Sequence, residues 1–284
     1  MSSILGGISL SKVKTNRLSF GLYGVSGKGK TLGAASFGGG EHGKIIVLNV
    51  EVGPEEGPGG LCTLLHAKDI HPRLDPDDVK VISITSWTDL QNQFVWLRDN
   101  QKALVDEGYA VLVLDGGSAI SYLIRQAIVN MAPEYSPTPK RHNIMGQLVT
   151  TLSGASTSPM ELYQYDIVYD RYIEMHSLLK QLPFTFVSTF LETEAYDEET
   201  RKLKIGVGPK LIGKKLPAQI IAEVDGFFHC EVDDDGKFVW LTSNNPTQIG
   251  ATNLAQAKHR FGLKLDKYEP ADGVLLLQKI GGKV

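Results

Sequence analysis

Eight residues limit what this chain can fold into: Gly24-Val25-Ser26-Gly27-Lys28-Gly29-Lys30-Thr31. They fit the pattern of a glycine, four free positions, then Gly-Lys-Thr, the phosphate-cradling P-loop. Leu18–Tyr23 before them reads as a short strand, and Thr31–Phe37 after them as the start of a helix. Strand, glycine-rich loop and helix is the order such a loop requires. Glycines let backbone N–H groups turn inward with no Cβ in the way. Lys30 is placed to bring a point charge to the β and γ phosphates, and the Thr31 hydroxyl to ligate Mg2+. The new helix aims its positive end at the same anion. Gly24 through Thr31, with Leu32, are therefore the candidate nucleotide-binding residues.

The 284 residues suit one large α/β domain with extensions, or two small domains. Cys62 and Cys230 are too few for a disulfide framework and lack metal-ligand spacing, which points to a reducing cytoplasm. The N-terminus has no charged n-region ahead of an apolar core, so no secretory signal is expected, and no apolar run is long enough to span a bilayer. With a formal net charge of −3, any nucleic-acid surface must be a local basic patch.

After the loop, Gly38-Gly39-Gly40 must stop the first helix early. Lys44–Val50 is a continuous β-branched and apolar run, the pattern of a parallel strand covered on both faces. It ends at Glu51, at the strand end where ligands of parallel sheets lie. Val79–Ile84 reads as a third strand. Ser86–Glu107 reads as a helix capped by Ser86, with Asp89 completing a near capping box. Ala110-Val111-Leu112-Val113-Leu114-Asp115 is a fourth buried strand that delivers a carboxylate, the Walker B pattern for Mg2+. A helix to about Met131 follows, then a long irregular stretch over 132–162. Asp166–Leu182 is helical by its apolar spacing. Phe184–Phe190 is a fifth strand. A hairpin over 195–207, a short helix to Ile221 and a second hairpin around Asp233-Asp234-Asp235-Gly236 complete the pattern.

This succession resembles the RecA-like ATPase core, and more closely the phage RecA-like ATPases that include single-strand annealing proteins. The likeness rests on the two Walker segments, on Asn49-Val50-Glu51, on Pro209-Lys210-Leu211-Ile212-Gly213-Lys214, on Asp225 and on Ala257-Lys258-His259-Arg260. It implies an α/β fold with a RecA-like P-loop core, a mainly parallel central sheet and an antiparallel C-terminal extension. The expected divisions are an N-terminal arm over 1–16, the ATPase domain over 17–262 and a C-terminal tail over 263–284.

The resemblance further implies Mg2+-dependent ATP binding and hydrolysis. Lys30 holds phosphate, Thr31 and Asp115 hold Mg2+, and Glu51 is the candidate base; the plain alternative for Glu51 is a solvated loop acid. Thr189 and Glu192, with Glu194, are candidates for sensing the γ-phosphate. Lys214, Lys215, Lys258 and Arg260 are candidates for reaching ATP across a subunit interface. Lys140, Arg141, Lys202, Lys204 and Lys210 are candidate DNA contacts; for each of these cations the alternative is an ordinary solvated charge. The partners implied are single-stranded DNA, further copies in a ring or filament, and a single-strand-binding protein, in the cytoplasm of a host cell if phage-encoded. The acids Glu192, Glu194, Asp197, Glu198 and Glu199 keep two alternatives open: an ATPase acting on protein partners as a motor or assembly factor, and a nucleotide-stabilised structural subunit with little turnover.

Overall fold

The computed structural model describes residues 18–50, 61–135, 162–196, 204–213, 215–242, 257–261 and 265–281. Side chains at 129–135, 162–163, 195–196 and 204–206 fall outside that description. The fold is α/β, with a mostly parallel central sheet extended by antiparallel strands. Its parallel strands are β1 (Ser19–Gly24), β2 (Lys44–Asn49), β3 (Val79–Ser83), β4 (Tyr109–Asp115), β5 (Thr185–Tyr196) and β7 (Gly226–Val232). They lie in the order β7-β1-β5-β4-β2-β3. β6 (Lys204–Pro209) doubles back on β5, and β8 (Phe238–Leu241) and β9 (Lys258–His259) run antiparallel to β7. β10 (Tyr268–Pro270) runs antiparallel to β8.

The strand sequences explain the layering. Successive side chains point to opposite faces, so an apolar run buries both. Ile45, Val47, Val111 and Val113 face the layer of α1 (Lys30–Ala35) and α2 (Cys62–Leu65). Ile46, Leu48, Leu112 and Leu114 face α3 (Trp87–Asp106), α4 (Gly117–Tyr135), α5 (Leu162–Lys180) and α6 (Lys215–Glu223). Ser86 caps α3 as its sequence predicts: its side chain accepts from the Asp89 N–H at 3.0 Å, and Asp89 accepts from the Thr85 N–H at 3.0 Å. α1 ends at Ala35, ahead of the three glycines. α5 starts at Leu162, four residues before the predicted Asp166. No helix among the described residues is long and apolar enough to cross a membrane.

One expectation needs correction. Among the residues after 262, those at 265–281 pack onto the domain and do not trail from it as a tail. β10 pairs with β8, and α7 (Gly273–Lys279) buries Val274, Leu276 and Leu277 against the α1 side of the sheet. Asp272 accepts from the Val274 and Leu275 N–H groups and from both ends of the Arg73 guanidinium. Burial alone would push this carboxyl up; hydrogen bonds from His71, Arg73 and the Leu275 N–H hold it well below the usual carboxylate range. Its contribution to stability is therefore present above the ordinary carboxyl pKa and lost only as pH falls through the lowered folded value. Gly273 is needed for close approach, since a Cβ there would stand 2.3 Å from the Phe37 ring. The sequence hid this segment because seven helical residues are too few to display a period.

The placement of α7 makes its two leucine classes unequal. Leu277→Ala, at a buried position, is expected to cost about 2–5 kcal/mol of unfolding free energy. Leu275→Ala, at an exposed position on the same helix, is expected to stay within about 0.5 kcal/mol. Denaturant unfolding of both variants checks the assignment.

Candidate active site

The loop after β1 places two glycines in the left-handed region, Gly27 at φ 80° and Gly29 at φ 74°, where other residues are strained. Gly29 also lies under the Phe238 ring, 2.7 Å from where its Cβ would be. α1 then opens at Lys30, whose Nζ folds back to donate to the Val25 carbonyl at 2.8 Å. Val25, Ser26 and Gly27 are exposed at the tip of the loop, whereas Lys30 is buried.

Strand order brings Asp115 to the same place. β5 lies between β1 and β4, with Leu22 opposite Thr189 and Leu114 opposite Ser188. Asp115 follows Val113 in the two-residue period, and Thr189 follows Val187, so both point to the α1 side. There the Thr31 hydroxyl donates to Asp115 Oδ2 at 2.8 Å and the Thr189 hydroxyl donates to Asp115 Oδ1 at 2.6 Å. Thr189 Oγ1 in turn accepts from the Gly116 N–H at 3.1 Å. Asp115 is 2% exposed. Burial raises its pKa, against the two threonine hydrogen bonds and the Lys30 charge. A buried carboxylate in this state gains from a nearby cation. Magnesium commonly takes one or two protein oxygens and fills its shell with phosphate and water, so Thr31 and Asp115 are a donor set that fits it.

The two sensor candidates part company. Thr189 joins Asp115, while Glu192 follows Phe190 onto the opposite face, where its Oε2 lies 2.6 Å from His229 Nε2. Glu194 lies further along the same strand and is exposed. Among the four trans-acting candidates, Lys258 donates to the carbonyls of Ile221 and Ala222 at 2.8 Å and of Val224 at 3.3 Å, closing the C-terminus of α6. Arg260 donates to the Ala222 carbonyl and stands 3.8 Å from Asp225. These partners lie within the chain, a use of both cations that sequence reasoning had not assigned. Lys215, at the start of α6, and Lys210, just past β6, are exposed. Glu51, Lys140, Arg141, Lys202 and Lys214 lie outside the described residues, as does the Lys204 side chain.

One other constellation looks catalytic on paper. His176 Nε2 is 3.3 Å from Ser188 Oγ, and Nδ1 is 3.6 Å from Glu223. Ser188 and His176 are fully enclosed, and Ser188 already donates to the Phe20 carbonyl at 3.3 Å. Burial lowers the His176 pKa. With no face open to a substrate, this group ties α5 and α6 to the sheet.

Replacing the charge at the centre of the site separates stability from metal use. Asp115→Asn is expected to raise the melting temperature of the metal-free protein at pH 7, because it removes a buried charge while its carboxamide keeps an acceptor for one threonine and offers the other, whose hydroxyl can turn to accept, a donor. The gain should shrink as pH falls through the carboxyl range, where Asp115 itself takes a proton. The same variant should lose any Mg2+-dependent stabilisation by nucleotide. Thermal melts in chelator and in Mg2+ with ATP check both outcomes.

Scans against protein-family models and among curated proteins find no match to this chain.

Proposed function

We propose that this chain is a Mg2+-dependent ATPase of RecA-like order that acts on single-stranded DNA in phage-type recombination or strand annealing. The observation that carries the ATPase reading is the three-way contact of Thr31, Asp115 and Thr189 beside the glycine loop. One helix and two strands that are distant in sequence, α1, β4 and β5, converge there on one carboxylate and two hydroxyls, on the side of the sheet where α1 begins. The RecA-like order is supported by the loop after β1, the carboxylate at the end of β4 and β5 lying between them.

In this reading the loop N–H groups and Lys30 hold the phosphates, and Lys30 exchanges the Val25 carbonyl for phosphate oxygen. Thr31 and Asp115 would hold Mg2+, which supplies charge neutralisation on the β and γ phosphates when bound. Thr189 keeps Asp115 in register through its own hydrogen bond and that of the Gly116 N–H. Glu51 follows β2 in sequence and takes the role of orienting or deprotonating water, as the resemblance implies. The DNA partner and self-association also come from the resemblance. A cytoplasmic setting, where ATP and Mg2+ are abundant, goes with the same reading.

Nucleotide at a hundredfold excess over its Kd should stabilise wild type by about 2.7 kcal/mol, a rise in Tm of roughly 4–5 °C for a chain of this size. Lys30→Ala should abolish that rise, and Glu51→Gln should keep binding while losing turnover. ATPase rates with and without single-stranded DNA decide the partner. Stimulation by DNA supports the proposal, and indifference to DNA favours protein partners. Binding without turnover favours a structural subunit. A wild type that binds no nucleotide sinks the whole reading.

A further inference from the structure

β1 ends at Gly24, where the chain leaves the sheet to form the loop. Its neighbours continue: β5 runs on to Tyr196 and β7 to Val232. At the level just beyond Gly24 the two flanking strands are therefore separated by an empty strand position, a gap of about 9–10 Å at ordinary strand spacing. Glu192 of β5 and Glu231 of β7 stand at that level on either side, and a histidine just below links them. His229, on β7 opposite Tyr23, reaches Glu192 of β5 with Nε2 at 2.6 Å and Glu231 of its own strand with Nδ1 at 2.9 Å. The Tyr23 ring lies against the imidazole, with centroids 4.7 Å apart.

We infer that His229 is a positioning residue for the phosphate site, holding Glu192 and Glu231 together across the end of β1 and offsetting, with its proton, one of the two negative charges they set beside an incoming triphosphate. This rests on the reading of the loop as a triphosphate site. The charges around the imidazole are Glu192 from β5, Glu231 from β7 and the neutral phenol of Tyr23 from β1. Lys267 and Tyr268 act in turn on Glu231 from the β10 side. Burial works against a charged imidazole, yet the hydrogen bonds and charges of Glu231 and Glu192 outweigh it and raise the His229 pKa. Both nitrogens engage carboxylate oxygens, which only the doubly protonated ring can satisfy with two donors. β7 runs beside the root of the loop, with the Cys230 carbonyl 2.8 Å from where a Gly24 Cβ would be; Cys230 faces the α1 side and feels the Lys30 charge, and His229 next to it faces the opposite side of the sheet.

The sign follows from the charges. With the proton the triad carries −1, and without it −2. A triphosphate beside it should therefore bind best when His229 is protonated and lose affinity as pH rises through the raised His229 pKa. For a separation on the order of 10 Å and an effective dielectric near 20, such a unit charge would change affinity on the order of tenfold. Linkage makes the effect reciprocal, so bound nucleotide should raise the His229 pKa further.

The test is equilibrium binding of AMP-PNP with Mg2+ between pH 6 and 9, alongside NMR titration of the His229 ring. His229→Gln, neutral at every pH, should bind about tenfold more weakly than wild type at low pH. His229→Gln with Glu192→Gln should recover wild-type affinity to within about twofold. The ratio of wild-type to double-variant affinity should fall as pH rises, and the His229 titration should move upward on adding Mg2+ and AMP-PNP. Glu192→Gln alone keeps the imidazole and should bind at least as tightly as wild type, which tests the claim even where His229→Gln does not fold. Melts without nucleotide report folding of each variant. A constant affinity ratio, no rescue by the second substitution, or an unmoved His229 titration overturns the inference. Absence of wild-type binding at every pH overturns instead the reading of the loop.

Discussion

The Asp115 carboxylate, held between two threonine hydroxyls, is the point on which the arrangement of the site depends. It stands at the end of a strand buried on both faces, and burial makes its charge costly. The structure offsets that cost with hydrogen bonds from two directions, Thr31 at the start of α1 and Thr189 on β5. Each donor is tied down elsewhere. Thr31 follows a loop that only glycines can form at positions 27 and 29. Thr189 also receives the Gly116 N–H, so the turn after β4 and the middle of β5 cannot shift independently. Such a carboxylate is a poor contributor to stability and a good one to cation binding.

Much of this was legible before the structure. The strand–loop–helix unit, the buried run ending in Asp115 and the Ser86 cap all follow from rules that act within a dozen residues. Lateral strand order does not, because hydrophobic alternation says which face a side chain takes and not which strand lies beside it. Thr189 and Glu192 looked equivalent for that reason. Given β5 between β1 and β4, a two-residue period separates them: Thr189 shares the face of Asp115, and Glu192 shares the face of Phe190 and Tyr23. His229 was illegible in the same way, since Glu192 is thirty-seven positions from it and nothing in either segment signals the pairing. α7 failed for a different reason: its helix is too short to show a period, and what holds it is the distant Asp272–Arg73 contact.

The two faces of the sheet divide the work. The α1 side carries the loop, Lys30, Thr31, Asp115 and Thr189, and beneath them a stacked aromatic layer of Phe37, Trp240 and Phe228. Gly29 and Gly33 rest on that layer, against Phe238 and Trp240, so the β7–β8 hairpin supports the loop from below. The C-terminal segment braces this support: β10 pairs with β8, and α7 packs on Phe37. Residues far from the loop in sequence thus set the height at which its glycines can sit.

The opposite face meets the loop at its root and not at its tip. Where β1 gives way to the loop, a sheet of parallel strands loses the backbone hydrogen bonds that had joined β1 to β5 and β7. Any protein that interrupts a central strand to build a loop must span that break with side chains or leave flanking strands free to separate. Here the span is ionic, and Tyr23 adds a ring contact and a 3.4 Å hydrogen bond to the Val207 carbonyl of β6. An apolar bridge would hold the strands as well but would carry no charge to respond to an anion. In the proposed reading, the ionic bridge is what lets this end of the sheet respond to charge arriving at the loop.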